Sequence, residues 1–489
     1  MRVGKGGRGS GLAVGLVVAL LVGATGGCAR ELVPGTPLAV GEIDTTNVGG
    51  KPVTNGPSGP REGVPDAKLD VQNGDGGEMD RLAVNAVSDI YDYWTDQLPT
   101  QFDGQQFDKL KRLVSYDSDG QAMKVCGQST AGLINAFYCG QDDSISWDRG
   151  RLLPLLDKQF GPMSVVTVLA HEMGHAVQFR LGEKSNVTQG TPTIVKEQQA
   201  DCYAGNFFGF VAGGKAKHFT INTGDGLNRI LATMFFIRDP AGLSATTRGA
   251  HGLAFDRVFA FQEGFTKGPR RCAEMDSAEI NKRIAEKKRS EDDEKTQGEA
   301  DISDSRTFEA FKQSLDQAFA ANGGALPNIK SNGAKCAKGK ATSPAAFCPD
   351  ENMVAIDLPK LKKLATPPKR NESPGAGGAG IGDFAAFAEI ASRYSLAIQK
   401  SVGAKLEGVQ AGLRTACLTG AWAGFVDKPG PKVRLSVGDL DEAMAELLQD
   451  NGLIAADVNG TQTPVGFARV EAFRIGYFDG SSRCATVGQ

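Results

Sequence analysis

Eight of the nine cysteines fall into two sets with nearly the same spacing, which constrains the fold of this 489-residue chain more than any other feature. Cys126, Cys139, Cys202 and Cys272 are separated by 13, 63 and 70 residues; Cys336, Cys348, Cys417 and Cys484 are separated by 12, 69 and 67. Their neighbours match too. Tyr138-Cys139 through Ile145 to Asp148 pairs with Phe347-Cys348 through Val354 to Asp357. Cys202, Gly205 and Gly209-Phe210-Val211 pair with Cys417, Gly420 and Gly424-Phe425-Val426. Arg257, Phe261 and Gly264-Phe265 pair with Arg469, Phe473 and Gly476-Tyr477. A repeat of about 210 residues is far longer than a solenoid unit and reads as a duplicated domain. The repeat suggests disulfides 126–139, 202–272, 336–348 and 417–484, although cysteine spacing alone leaves other connectivities open.

All four histidines lie in the first half, two of them in His171-Glu172-Met173-Gly174-His175. On a helix these two are one turn apart and can bind one metal ion, with Glu172 beside it to accept a proton from water. The apolar run Met163 to Ala170, entered after Gly161-Pro162 and continued by Ala176-Val177, predicts a buried helix. Buried histidines and a glutamate are costly unless they are paired or metal-bound. Gly174 permits close helix packing. A catalytic zinc site usually has three protein ligands, and Glu197-Gln198-Gln199-Ala200-Asp201 offers the third. Glu197 and Asp201 share a helical face, so Glu197 can ligate while Asp201 accepts the other N–H of a ligand histidine. The apolar stretch Cys202 to Phe210 extends this helix, and the loop Gly182 to Thr193 can turn it back across the first.

H-E-M-G-H-A-V-Q followed by E-Q-Q-A-D-C-Y-A-G resembles the bacterial neutral zinc metallopeptidases, gluzincin-type enzymes. Phe137-Tyr138-Cys139 and His251-Gly252 through Arg257 to Gly264-Phe265 add to the resemblance, which spans roughly Asp80 to Cys272. It implies a zincin-like domain of helix-rich α+β class that cleaves a peptide or protein substrate. It also implies one Zn²⁺ per chain on His171, His175 and Glu197, with Glu172 as general base and Asp201 behind a histidine. With its lipoprotein-like start, the chain looks like an actinobacterial lipoprotein peptidase.

Arg2, Lys5 and Arg8 precede an apolar stretch from Gly11 to about Ala24, a signal-peptide layout too short for a typical membrane span. Gly26-Gly27-Cys28 suggests lipidation at Cys28, and hence an exported envelope lipoprotein anchored to the outer face of the cytoplasmic membrane. Thr25 stands where such boxes usually carry Leu. An even number of remaining cysteines suits that oxidising compartment. A net charge of −3 gives no sign of a nucleic-acid partner. The expected organisation is a leader over 1–28, a flexible Gly/Pro-rich tether over 29–78 and a zinc peptidase domain over 79–275. A charged linker over 276–305 and a degenerate copy over 306–489 follow, with the two halves packed together.

The copy serves as an internal control. The zinc motif aligns with Ser392-Arg393-Tyr394-Ser395-Leu396, Glu197 with Gly412, Asp201 with Ala416, and His251 falls near Thr463. Every chemical position is lost, while cysteines, glycines and Arg469 persist. Arg257 and Asp148, which have counterparts, read as structural: a helix–helix ion pair and a turn or cap. His251 has none, and it is the candidate donor to a transition-state oxyanion. Tyr203 reads as core and His218, in Lys215-Ala216-Lys217-His218, as exposed and without a role. Ser144 to Trp147 reads as an edge strand able to pair with substrate, and Thr366 to Gly382 as a loop. The competing functions are a zinc-stabilised envelope scaffold without catalysis and a hydrolase of cell-wall peptide crosslinks. The intact Glu172 argues against the scaffold, since a structural zinc site needs no such residue and usually has four protein ligands.

Overall fold

The computed structural model describes residues 1–3, 47–240, 250–283, 298–320, 325–339, 341–368 and 380–486. Cys28 and most of the leader lie outside these residues, as do the middle of the charged linker and of the Thr366–Gly382 loop.

The first half opens with helix α1 (Glu78–Gln101), whose Glu78 and Asp80 face the positive helix end. Leu82, Ala83, Ala86, Val87, Ile90, Trp94 and Leu98 recur three or four residues apart and form its buried stripe. A three-stranded sheet follows, built from β1 (Arg112–Tyr116), β2 (Ala136–Cys139) and β3 (Ser144–Asp148), then α2 (Leu152–Phe160). β3 lies in the middle, parallel to β1 and antiparallel to β2. The segment Ser144 to Trp147 is therefore the central strand and not an edge. All five residues of β3 are buried, which apolar–polar alternation does not reveal. The Asp148 carboxylate accepts from the Ser118, Gly150 and Leu152 N–H groups, fixing the turn into α2.

Four long helices follow, α3 (Met163–Leu181), α4 (Thr193–Ala212), α5 (Asp225–Phe236) and α6 (Ala254–Lys267), and the short helix Pro269–Glu274 ends this half. The second half runs in the same order. It comprises α7 (Ser305–Phe319), β4 (Asn328–Ser331), β5 (Ala345–Cys348), β6 (Met353–Ile356), α8 (Leu358–Leu364), α9 (Asp383–Ser401), α10 (Val409–Val426), α11 (Asp439–Leu448) and α12 (Gly466–Asp479). Here too the last strand is central, parallel to the first and antiparallel to the second. Disulfides join Cys126 to Cys139, Cys202 to Cys272, Cys336 to Cys348 and Cys417 to Cys484. Glycines set the closest helix contacts beside two of these bonds. A Cβ on Gly264 would collide with the Cys202 carbonyl, and one on Gly476 with the Cys417 carbonyl.

One buried apolar cluster runs through both halves. α5 packs on α12 and α6 on α11, so each half offers the same pair of helices to the other. Phe255 meets Tyr477 edge-on at 5.4 Å, Arg238 Nε donates to Asp441 Oδ2 at 3.0 Å, and Gln262 Nε2 to the Phe467 carbonyl at 2.9 Å.

Residues 47–77, expected within a flexible tether, lie against the first half. Gly59–Pro60 pairs with Phe219–Thr220, and Arg61 Nε donates to the Ala216 and Phe219 carbonyls. Glycine- and proline-rich composition here serves turns, with affinity supplied by main-chain partners. His218 also departs from expectation: it is 3% exposed, with Nδ1 2.6 Å from Asp89 Oδ1. The buried carboxylate of α1 draws it inward, which the neighbouring lysines conceal. In the charged stretch, Ser277–Arg283 is helical and the Arg283 guanidinium lies 4.1 Å from the Phe259 ring centre. Among the described residues no helix is long and apolar enough to cross a membrane.

Candidate metal centre

α3 is buried on nearly every face, as its composition predicts, and crosses α4 closely. A Cβ on Gly174 would stand 2.7 Å from Ala200 Cα, so only glycine lets the two helices meet here. The crossing brings together His171, His175 and Glu197, each with a ligand atom within 4.8 Å of the others. His171 Nε2 is 3.2 Å from Glu197 Oε2, and His175 Nε2 is 3.5 Å from Glu197 Oε1.

These atoms fit a metal better than they fit each other. His171 Nε2 and Glu197 Oε2 are buried and, despite their proximity, are not aligned for a hydrogen bond. Two imidazoles and a carboxylate are a donor set suited to zinc. Burial opposes charge on Glu197, yet the adjoining His175 and His171 outweigh it and hold the carboxyl well below its usual range. Burial likewise disfavours charge on His171, but Asp201 outweighs it and raises the ring's pKa to about 10. Protons and metal therefore compete for the same lone pairs.

Behind the ligands runs a chain of fixed partners. His171 Nδ1 is 2.7 Å from Asp201 Oδ1. Arg257 grips Asp201 from α6 with Nε at 2.9 Å and Nη2 at 2.8 Å, and its Nη1 donates to the Ile237 carbonyl at 2.9 Å. The expected helix–helix ion pair is thus also the clamp on the histidine's partner. His175 Nδ1 is 3.1 Å from Gln178 Oε1, and Gln178 Nε2 donates to the Lys196 carbonyl at 2.7 Å.

Glu172 is separate from the three converging side chains, and its Oε2 accepts the Tyr138 N–H of β2 at 2.8 Å. β2, not β3, is thus the strand beside it. The His251 ring lies 6.2 Å from that of His171, is 41% exposed, and places Nδ1 3.6 Å from Asp239 Oδ1. Asp239 Oδ2 accepts from Gly252 N–H, whose φ of +99° favours glycine. Tyr203 packs against Trp94 at 5.4 Å in the core. Sequence reasoning missed Tyr138, Gln178 and Asp239 as parts of the site. Gln178, one turn beyond His175, could have been found by helical spacing; the other two carry no local signal.

The model of the family described as "putative neutral zinc metallopeptidase" matches residues 2–277, over half of the chain. The chain belongs to that family. Within it, the His171–His175–Glu197 cluster is where the implied zinc fits. Among curated relatives, the uncharacterized protein YpfJ of Escherichia coli K12 is 29% identical over 195 residues, covering 35% of this chain and 65% of that protein. The uncharacterized protein Rv2575 of Mycobacterium tuberculosis H37Rv is 36% identical over 95 residues, 18% of this chain and 32% of that protein. The chain thus spans less than two thirds of the length of either relative. No solved structure matches.

Proposed function

We propose that this chain is a zinc-dependent endopeptidase acting outside the cytoplasm. The observation that carries the reading is the convergence of His171, His175 and Glu197 beside a separately held Glu172. Zinc bound there supplies Lewis acidity and lowers the pKa of water. Glu172, oriented by the Tyr138 N–H, takes the proton of the attacking water and delivers it to the leaving amine. Asp201, held by Arg257, keeps the His171 proton on Nδ1 and leaves Nε2 to the metal. His251, beside Asp239 on the exposed side, donates to the developing oxyanion.

Residues 306–489 are read as a copy of the peptidase unit that has lost the zinc site, supported by the repeated element order and disulfides. The basic–apolar start and Cys28 support export and a lipid anchor. The test compares wild type with Glu172→Gln on a proteome-derived peptide library, with zinc measured in both. One zinc per chain in each and cleavage only by wild type is the expected result. Full cleavage by the variant overturns the mechanism, and two zinc ions per chain overturn the degenerate copy.

A further inference from the structure

A second cluster of acids lies in the other half, where the first turns of α9 and α11 face each other. Glu299, Asp383 and Glu442 each place an oxygen within 4.8 Å of the others, and Asp439 adjoins them. Asp383 and Asp439 are each 1% exposed. Helix ends account for some of their oxygens. Glu299 Oε2 accepts from the Asp383 N–H at 3.0 Å, Glu442 Oε2 from Phe384 N–H at 2.8 Å, and Asp439 Oδ2 from Ser436 N–H at 2.8 Å. Asp383 Oδ2 accepts from Ala300 N–H at 3.0 Å, but buried Asp383 Oδ1 has no hydrogen-bond partner among the described residues.

A cation is already seated in this cage. Arg2–Val3 forms a short strand against Val433–Arg434, and the Met1 ammonium lies 2.6 Å from Asp383 Oδ2, 3.3 Å from Asp439 Oδ1 and 3.1 Å from the Gly298 carbonyl. It is one positive charge facing four carboxylates. Burial pushes the Glu299 carboxyl up to about 8 and that of Asp439 to about 7, while the ammonium eases both downward. Residues 1–27, the leader expected ahead of the lipidated Cys28, are removed on export, and with them this ammonium. The remaining donors are all oxygens, carboxylates plus a carbonyl, which is the chemistry of a hard divalent ion and not of zinc.

We propose that in the exported protein this cage binds Ca²⁺ through Glu299, Asp383, Asp439, Glu442 and the Gly298 carbonyl, the Met1 ammonium being its monovalent stand-in. The proposal rests on removal of the leader and is independent of the zinc centre. Bound Ca²⁺ ties α9 to α11. The neighbouring Asp441 reaches the first half, accepting from Arg238 Nε and the Phe255 N–H, so the ion also steadies the start of α6.

The test uses the zinc-loaded exported protein and, beside it, the chain retaining Met1. Tb³⁺ probes the site, excited through Trp422, which stacks on Phe384 with ring centres 5.6 Å apart. The exported protein is expected to give Tb³⁺ emission displaced by Ca²⁺ and a melting temperature raised by roughly 5 °C or more at saturating Ca²⁺. Asp383→Asn and Glu442→Gln should each weaken Ca²⁺ binding at least tenfold with zinc content unchanged, and the chain retaining Met1 should bind more weakly. An exported protein whose melting is indifferent to Ca²⁺ and which shows no displaceable emission overturns the proposal. So does equal Ca²⁺ affinity in the variants, or in the chain that keeps its leader.

Discussion

The two helical cores share a layout and treat buried charge in opposite ways. Around α3, α4 and α6, charges are paired in a line from His171 through Asp201 to Arg257, leaving Nε2 of the histidine unpaired toward the ligand cluster. Around α9, α10 and α12, Arg393 stands in line with Glu172. Its guanidinium donates to the carbonyls of Leu453 at 2.7 Å, Ala456 at 2.8 Å and Asp457 at 2.8 Å, with Glu389 and Glu446 as nearby acids. Other contacts are common to both. Gln178 Nε2 donates to the Lys196 carbonyl and Gln399 Nε2 to that of Ala411. Arg257 Nη1 donates to the Ile237 carbonyl and Arg469 Nη1 to that of Gln449. The shared contacts hold helices together; the unshared ones of the first half gather behind the His171–His175–Glu197 cluster. Arg257 does both, since only its grip on Asp201 has no counterpart.

The largest expected difference is between the aligned positions 172 and 393. Glu172→Gln should lower turnover on the order of 10³-fold with zinc retained. Arg393→Gln should leave zinc content and turnover intact but cost about 3 kcal/mol of stability in urea denaturation, because the buried carbonyls of Leu453, Ala456 and Asp457 lose their donor. Loss of turnover in Arg393→Gln below its melting temperature would break the division between chemistry and support.

The paired arginines sharpen it next. Arg257→Met strands Asp201 and should cost about 3–5 kcal/mol, with zinc affinity roughly 10–100-fold weaker in a chelator competition. Arg469→Met, which removes a main-chain hydrogen bond and no acid clamp, should cost about 1 kcal/mol and leave zinc affinity unchanged. Equal effects on zinc would mean that Arg257 acts only through packing.

What the sequence made legible was periodic or repeated. One-turn spacing placed His171 and His175 together, the four-residue step tied Glu197 to Asp201, and the doubled cysteine pattern matched the disulfides. What it hid depends on main-chain groups and on elements meeting through space. The Tyr138 N–H that holds Glu172 belongs to no side-chain pattern. Asp239 reaches His251 only because the chain folds back between them. His218 looked exposed because its neighbours are lysines, whereas the carboxylate that buries it lies on α1.

Buried carboxyls in the two units should also respond to pH in opposite directions. Burial raises the Glu446 carboxyl from 4.5 to about 7, despite N–H groups from Ile454 and Leu453. The folded state then keeps a proton that the unfolded chain releases, so this contribution is present below about pH 4.5 and lost as pH rises through 7. Glu197 and Asp201 are shifted downward, so theirs is present above the ordinary carboxylate range and lost as pH falls. Glu446→Gln should flatten the stability profile by about 1 kcal/mol per pH unit between pH 5 and 7. An unchanged slope would place the proton elsewhere.

The smallest effect asks whether a zinc site could be built in the second core one ligand at a time. Gly412 is in line with Glu197, but a Cβ there would stand 2.6 Å from Thr463 Oγ1 and 2.7 Å from the Ala455 carbonyl. Thr463 N–H donates to that same carbonyl at 2.9 Å, so even if the Thr463 side chain turns aside a fixed piece of main chain remains in the way. Gly412→Glu should therefore cost about 1–3 kcal/mol by overpacking and bring no second zinc, even combined with Ser392→His and Leu396→His. Gly412→Ala should already show most of the loss, because the clash begins at Cβ. If instead the triple variant takes up a second zinc at undiminished stability, the second core has room for a metal, and the difference between the two cores lies in side chains alone.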